Sequence, residues 1–313
     1  MGNEAGAGGV GSRNGPERAG GGICIDNSAR QGRSADQGRA VRGLQARRFQ
    51  LRLLAFAAAA ALARPASAQA AAPEVELWRL DCGALNGEDF SGYSDTHRYD
   101  GQKRDLVVSC YLIRHGDEYL LWDTGLDAKL LVDPEPLAVQ LGRIGLKPAQ
   151  IRYVGISHRH SDHTGQAVGF PGATLLIGAE DLEALRQSAD AGGRAGLLPW
   201  LEGGSKAEPV KGDKDVFGDG SVVMLATPGH TTGHHSLLVR LKDMGPVLLS
   251  GDLFHARESY EHDQVPAFNA NRADTLASIA RFKEIEANLH ATVIIQHEVL
   301  DVSKLPYFPK GAH

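Results

Sequence analysis

Apolar positions along this chain follow two rhythms, and together they predict many short strands interrupted by a few helices. Runs rich in β-branched residues and bounded by Gly, Pro or Asp begin at residue 74. The early runs are 74–80 (EVELWRL), 106–114 (LVVSCYLIR) and 118–122 (EYLLW). Further runs follow at 154–157, 174–177, 221–226, 236–240, 247–250 and 292–296. Helical patterning appears at 181–188 and 272–289. In the second of these, Leu276, Ile279, Phe282 and Ile285 recur at three-residue steps and form one apolar stripe. Such a mixture, without a regular strand-helix-strand rhythm or a solenoid repeat, predicts an α/β chain with two sheets packed face to face and helices outside.

Two segments between these elements lack a regular pattern. Residues 86–104 carry Phe90, Tyr93 and Tyr99. Residues 190–212 are Gly-rich around Leu197, Leu198, Pro199 and Trp200, apolar residues expected to pack onto the sheet rather than line a groove.

The first part of the chain has a different character. Residues 1–46 are rich in Gly, Arg, Ala and Ser, with too little apolar surface to offset the entropy of ordering. They are expected to be a disordered extension, or a lead lying ahead of a true start at Val41. Residues 47–68 combine Arg47-Arg48, the apolar stretch 53–63 and Ala66-Ser67-Ala68, the composition of a secretory signal peptide. The apolar stretch is too short for a bilayer, which needs about 20 residues. The alternative is a disordered extension followed by an anchoring helix. Cleavage after Ala68 would leave residues 69–313 as one exported domain, periplasmic or secreted, without stable membrane insertion.

Charge changes with cleavage. Residues 1–68 carry a net +6, so subtraction from the −5 of the whole chain leaves −11 on residues 69–313. That disfavours nucleic acid and anionic membrane surfaces as partners. Of Cys24, Cys82 and Cys110, the last two survive cleavage, and none has zinc-finger spacing. Cys82 and Cys110 have an oxidising compartment in which to pair. Their strand-like surroundings favour buried free thiols instead.

The chemistry concentrates in His158-Arg159-His160-Ser161-Asp162-His163, four metal-binding side chains within six residues. A helix cannot aim all four at one point, but a tight loop after the strand-like run 151–156 can. His230, Asp252 and His297 follow at wide spacing, which completes five histidines and two aspartates. Imidazole and carboxylate suit zinc and related divalent metals. Seven ligands exceed one tetrahedral zinc and suit two metals that share a carboxylate.

Three segments, 157–165 (SHRHSDHTG), 227–237 (TPGHTTGHHSL) and 245–252 (GPVLLSGD), resemble the metallo-β-lactamase superfamily, and within it the N-acyl-homoserine lactonases. The resemblance runs from about Val75 to the C-terminus. It implies an αββα sandwich and two Zn2+ per chain. His158, His160 and His230 would hold one metal; Asp162, His163 and His297 would hold the other; Asp252 would bridge. The implied activity is opening of a lactone ring by a metal-bridging hydroxide that attacks the carbonyl. Asp162 would orient the hydroxide and carry its proton to the leaving oxygen. Asp123 would orient a ligand histidine from outside the ligand set, His234 would be structural, and 86–104 would border the substrate cleft. Two positions depart from the lactonases. Where they place a tyrosine that contacts the lactone carbonyl this chain has His255, expected to donate the same hydrogen bond, and Ser161 replaces an aromatic found in some of them.

The same superfamily offers other readings. β-Lactamases lack a bridging aspartate at the position of Asp252, and glyoxalase-II-like thioesterases add a C-terminal helical segment for which sixteen residues after His297 leave little room. Flavodiiron proteins want an acid at His160. A metal-binding protein without catalysis would not need the complete set.

Overall fold

The structure is a computed structural model and describes residues 73–188 and 192–313. The leader expected at 47–68 and the extension before it lie outside these residues.

Among the described residues, eleven strands form two sheets. The first sheet orders β1 (Val75–Asp89), β2 (Lys103–His115), β3 (Glu118–Trp122), β4 (Tyr153–Ile156), β5 (Thr174–Gly178) and β6 (Ala207–Val210) side by side. Pairing is antiparallel from β1 to β3 and parallel from β3 to β6. The second sheet contains β7 (Lys214–Asp215), β8 (Val222–Ala226), β9 (His235–Leu241), β10 (Gly245–Leu249) and β11 (Thr292–Ile294), in the order β11-β10-β9-β8-β7. Only β10 and β11 run parallel there.

Side-chain alternation explains the layers. Successive strand residues face opposite sides of a sheet. Leu120 and Trp122 of β3 therefore point inward, with Leu237 and Val239 of β9 and Leu249 of β10, into the core between the sheets. Leu121 points outward to a second core, which is closed by α1 (Leu137–Arg143) and by α3 (Ala179–Gln187), a helix after the very short α2 (Ser161–Thr164). Leu197 and Trp200, beside and within α4 (Leu198–Leu201), also pack there, and Trp200 Nε1 donates to the Ala173 carbonyl at 2.9 Å. On the other sheet Leu238 and Leu248 meet Ile279 and Phe282 of α6 (Arg272–Leu289), which follows the short α5 (Arg257–Glu261). Ile279 and Phe282 are the buried members of the stripe read from sequence, and Leu276 and Ile285 flank them half-buried. The result is helices, sheet, sheet and helices. A last short helix, α7 (Val299–Val302), follows β11.

The extent of β1 and the state of the cysteines differ from the sequence expectation. β1 is longer, continuing through residues read as a loop. And Cys82 and Cys110 are joined by a disulfide. In a regular ladder set by the pair Leu80↔Cys110, Cys82 would be a diagonal neighbour of Cys110 at about 7–8 Å. The register shift between Asp81 and Ala84 draws the two Cα atoms to 5.9 Å, within bonding range. Strand propensity carries no information about such a bulge. Among the described residues no helix is long and apolar enough to cross a membrane.

Candidate metal centre

Every ligand-type residue singled out in the sequence lies on the same side of the two sheets, beyond a strand's C-terminal end. His158 to His163 follow β4, with the last three residues turning through α2. His230 follows β8, Asp252 follows β10 and His297 follows β11. The fold brings their ligand atoms into two adjoining groups, His158, His160, His230 and Asp252, and Asp162, His163, Asp252 and His297. Within each group these atoms lie within 4.8 Å of one another.

Asp252 belongs to both groups through different oxygens. Its Oδ1 is 3.1 Å from His163 Nε2 and 3.0 Å from His297 Nε2. Its Oδ2 faces the first group, 3.6 Å from His158 Nε2 and 3.4 Å from His230 Nε2. Asp162 Oδ2 completes the second group at 3.5 Å from His163 Nε2.

The opposite edges of the rings fix which nitrogen faces inward. His163 Nδ1 donates to Asp123 Oδ2 at 2.9 Å, His230 Nδ1 to Asn269 Oδ1 at 2.8 Å, and His297 Nδ1 to the Val107 carbonyl at 2.8 Å. His158 Nδ1 lies 3.1 Å from Ser157 Oγ. Each of these rings therefore turns its Nε2 to the centre, while His160 presents Nδ1, 2.9 Å from His158 Nε2. Anchoring the far nitrogen in this way sets both tautomer and orientation.

Asp123 does more than hold His163. Its carboxylate also accepts from Ser157 N at 2.7 Å and from Gln296 Nε2 at 2.9 Å, so it ties β3, the loop after β4 and the loop after β11 together. His234 supports the loop that carries Asp252. Its Nε2 accepts from the Asp252 amide at 2.9 Å, and Nδ1 lies 3.0 Å from the Thr227 carbonyl. Gly251 stands beside it at φ 56°, where a Cβ would come within 2.6 Å of His234 Nε2. Asp181, unremarked in the sequence, clamps the two ligand loops. Its carboxylate accepts from Arg159 N at 3.0 Å, Thr231 Oγ1 at 2.7 Å and Gly233 N at 3.1 Å.

The electrostatics fit divalent cations. Burial, then repulsion from neighbouring rings, holds His158 far below the ordinary imidazole value and His160 down to about 3, so both are neutral ligands. For His163, burial opposes protonation, but the carboxylates of Asp252, Asp162 and Asp123 outweigh it and raise the value. His297 is raised by the same contest against Asp252 and Asp162. The carboxylates thus call for positive charge at the second group. Asp252 Oδ1 is buried with no hydrogen-bond partner, an acceptor aimed at a cation position. Donor type, convergence and an orphaned carboxylate oxygen all fit zinc-type ions.

His255 stands beside Asp252 and lines the cavity in front of the two groups. Its Nε2 lies 3.1 Å from Asp252 Oδ2, and its Nδ1 is buried without a partner. The ring therefore braces the shared carboxylate. In front of both groups opens a cavity of about 260 Å³, walled by Leu85, Leu106, Leu126, Tyr93 and Phe268. Tyr93 belongs to the segment expected to border a cleft. Sequence patterning did not mark Phe268, Asn269 or Gln296, although Gln296 adjoins a ligand.

Comparison with known proteins agrees with this geometry. Residues 104–297 match the metallo-beta-lactamase superfamily. An N-acyl homoserine lactonase, AttM, from Rhizobium johnstonii is 30% identical over 248 residues, covering 72% of this chain and 94% of that protein. An N-acyl homoserine lactonase from a Bacillus species is 28% identical, covering 67% of this chain and 88% of its own length. A solved quorum-quenching N-acyl homoserine lactone lactonase superposes with a TM-score of 0.65 at 24% identity, over 77% of this chain and 98% of that one. AidC, described as a dizinc quorum-quenching lactonase, superposes at 0.57 with 18% identity, over 77% and 90%. The αββα architecture, the ligand groups and these relatives agree: the chain belongs to the metallo-beta-lactamase superfamily, as a metal-dependent hydrolase related to the N-acyl homoserine lactonases.

Proposed function

We propose that this protein is an exported, dinuclear zinc hydrolase that opens lactone rings, with N-acyl homoserine lactones as its substrates. The observation that carries the reading is Asp252, which offers one oxygen to each ligand group and so supports two ions side by side. The relatives named as N-acyl homoserine lactonases support the substrate class. Two bound zinc ions would supply a water of lowered pKa and a Lewis acid for the carbonyl.

The chain's own residues supply the rest. Asp162, like His160, is only half-buried, with its side chain 17% exposed against 5% for Asp252. Its Oδ2 faces His163 and His297, which leaves Oδ1 to orient the attacking water and take up its proton. The same oxygen then returns the proton to the ring oxygen as the acyl–oxygen bond breaks. Leu85, Leu106 and Leu126 provide an apolar wall for an acyl chain, and exclusion of water there strengthens the polar interactions beside it.

Export is supported by the Cys82–Cys110 bond, since disulfides persist in oxidising compartments. Sequencing the N-terminus of protein from its native host tests this. A start near Gln69 is expected, and an intact leader in the cytoplasmic fraction would refute it. The substrate class is tested with purified protein on acyl-homoserine lactones, plain γ- and δ-lactones, nitrocefin and S-lactoylglutathione. Chelator-sensitive turnover should be fastest on the acyl-homoserine lactones. Preference for nitrocefin or the thioester would replace this reading with a β-lactamase or a thioesterase.

A further inference from the structure

The cavity wall contains a phenol that the ligand scheme does not use. Tyr93 ends the turn Phe90–Tyr93 that follows β1. Its ring is fixed on three sides. It stacks on Phe90 with centroids 4.2 Å apart, and it meets Phe268 and His255 edge-on at 5.1 and 4.9 Å. Phe90 is itself fully buried and lies under the Arg104 guanidinium at 4.6 Å. The turn is locked by Asp89 Oδ1, which accepts from Ser91 N at 3.0 Å, and by the Gly92 carbonyl, which accepts from Ala267 N at 2.8 Å.

The Tyr93 hydroxyl has no hydrogen-bond partner among the described residues. A phenol is an O–H donor at neutral pH, and burial, followed by the carboxylates of Glu88, Asp252 and Asp162, raises its pKa further. Its neighbours are less suited to that task. His255 Nε2 is taken by Asp252 and its Nδ1 is buried, while Ser161 is exposed to solvent.

We propose that Tyr93 Oη donates a hydrogen bond to the lactone's acyl oxygen and stabilises the negative charge that gathers there during ring opening. The inference rests on the lactonase reading above and names a further catalytic residue for it. Hydrolysis adds water across the acyl–oxygen bond, giving a carboxylate, an alcohol and one released proton. Tyr93 gives up no proton at any stage. A pre-positioned donor in a water-poor cavity costs little reorganisation as charge develops.

The test compares Tyr93→Phe and Tyr93→Leu with the wild-type holoenzyme on an acyl-homoserine lactone. Zinc content and the affinity for the ring-opened N-acyl-homoserine, by calorimetry, are measured on the same samples. Tyr93→Phe keeps the packing and removes only the hydroxyl. It should lower kcat at least about tenfold, toward the roughly 10²–10³ that loss of an oxyanion donor costs elsewhere. Zinc content should be unchanged, product affinity should fall several-fold, and Tyr93→Leu should do no less harm. Wild-type kcat and product affinity in Tyr93→Phe, with loss confined to Tyr93→Leu, would show that the ring only packs and would overturn the proposal while leaving the lactonase reading intact. A fully metallated wild type that opens no lactone would overturn both.

Discussion

Asp123→Asn isolates the influence of one buried carboxylate on the metal centre. Asp123 Oδ1 accepts from Ser157 N, while Oδ2 accepts from both His163 Nδ1 and Gln296 Nε2, and the residue is fully buried. An asparagine has one acceptor oxygen in place of two. If that oxygen faces Ser157, the amide NH2 confronts two donors; if it faces His163 and Gln296, the NH2 confronts the Ser157 amide. Gln296 cannot flip to compensate, because its Oε1 already accepts from Gly251 N at 3.0 Å and Trp122 Nε1 at 3.3 Å. At least one buried donor is therefore stranded, at a cost of about 1–3 kcal/mol. The backbone adds no separate penalty. Asp123 sits at φ 57°, a left-handed conformation that asparagine also tolerates. His163 also loses the carboxylate that makes it a stronger ligand. Changes of this kind cost about 10–100-fold in metal affinity, or about 1.4–2.7 kcal/mol. The ion that Asp162, His163, Asp252 and His297 would hold should leave first in a chelator competition read by elemental analysis, and the metal-free protein should unfold in less urea. Unchanged zinc retention with a lowered unfolding midpoint would mean that Asp123 only ties the loops together. No change in either would refute the hydrogen-bond assignment itself.

Other perturbations separate scaffold from chemistry. The Cys82–Cys110 bond closes a loop of sequence separation 28, so replacing both by Ser should cost about 3–4 kcal/mol by the chain-entropy relation. Urea unfolding of the oxidised wild type against the double variant measures it, and equal midpoints would contradict the assignment of the bond. Gly251→Ala must place a Cβ at φ 56° and 2.6 Å from His234 Nε2. The left-handed backbone costs about 1–2 kcal/mol and the overlap about 1–3 kcal/mol. Thermal unfolding and zinc content should both fall, and a variant that melts and binds zinc like the wild type would show that the loop before Asp252 is free to move.

Much of the centre was legible because its ligands are close in sequence. His158, His160, Asp162 and His163 crowd one loop after β4, and that density has few explanations other than metal binding. His230, Asp252 and His297 were assigned through the order in which a known family uses them. The supporting groups gave no such signal, because tertiary contact alone brings them in. Asp123 and Gln296 meet across 173 positions, His230 and Asn269 across 39, and Asp181 and Gly233 across 52. The orientation of His255 is hidden for a related reason. Spacing put it beside Asp252, but only the structure shows that its Nε2 turns to the carboxylate. In the fold, the long helix α6 is readable from its apolar stripe, whereas β6 (AEPV) carries Glu and Pro with only its Val buried and β7 (KD) is wholly charged, so neither shows the apolar pattern of a strand.

The central claim is that two zinc ions share Asp252 and that both are needed to open a lactone. Zinc titration of stripped protein, with bound metal and the initial rate on an acyl-homoserine lactone read from the same samples, tests it most directly. Full rate should require two zinc per chain, and Asp252→Ser should lose zinc from both groups and keep less than about a tenth of the rate, a larger loss than changes outside the ligand set usually cause. Full activity at one zinc per chain, or an Asp252→Ser variant that retains two ions and most of its rate, would contradict the account.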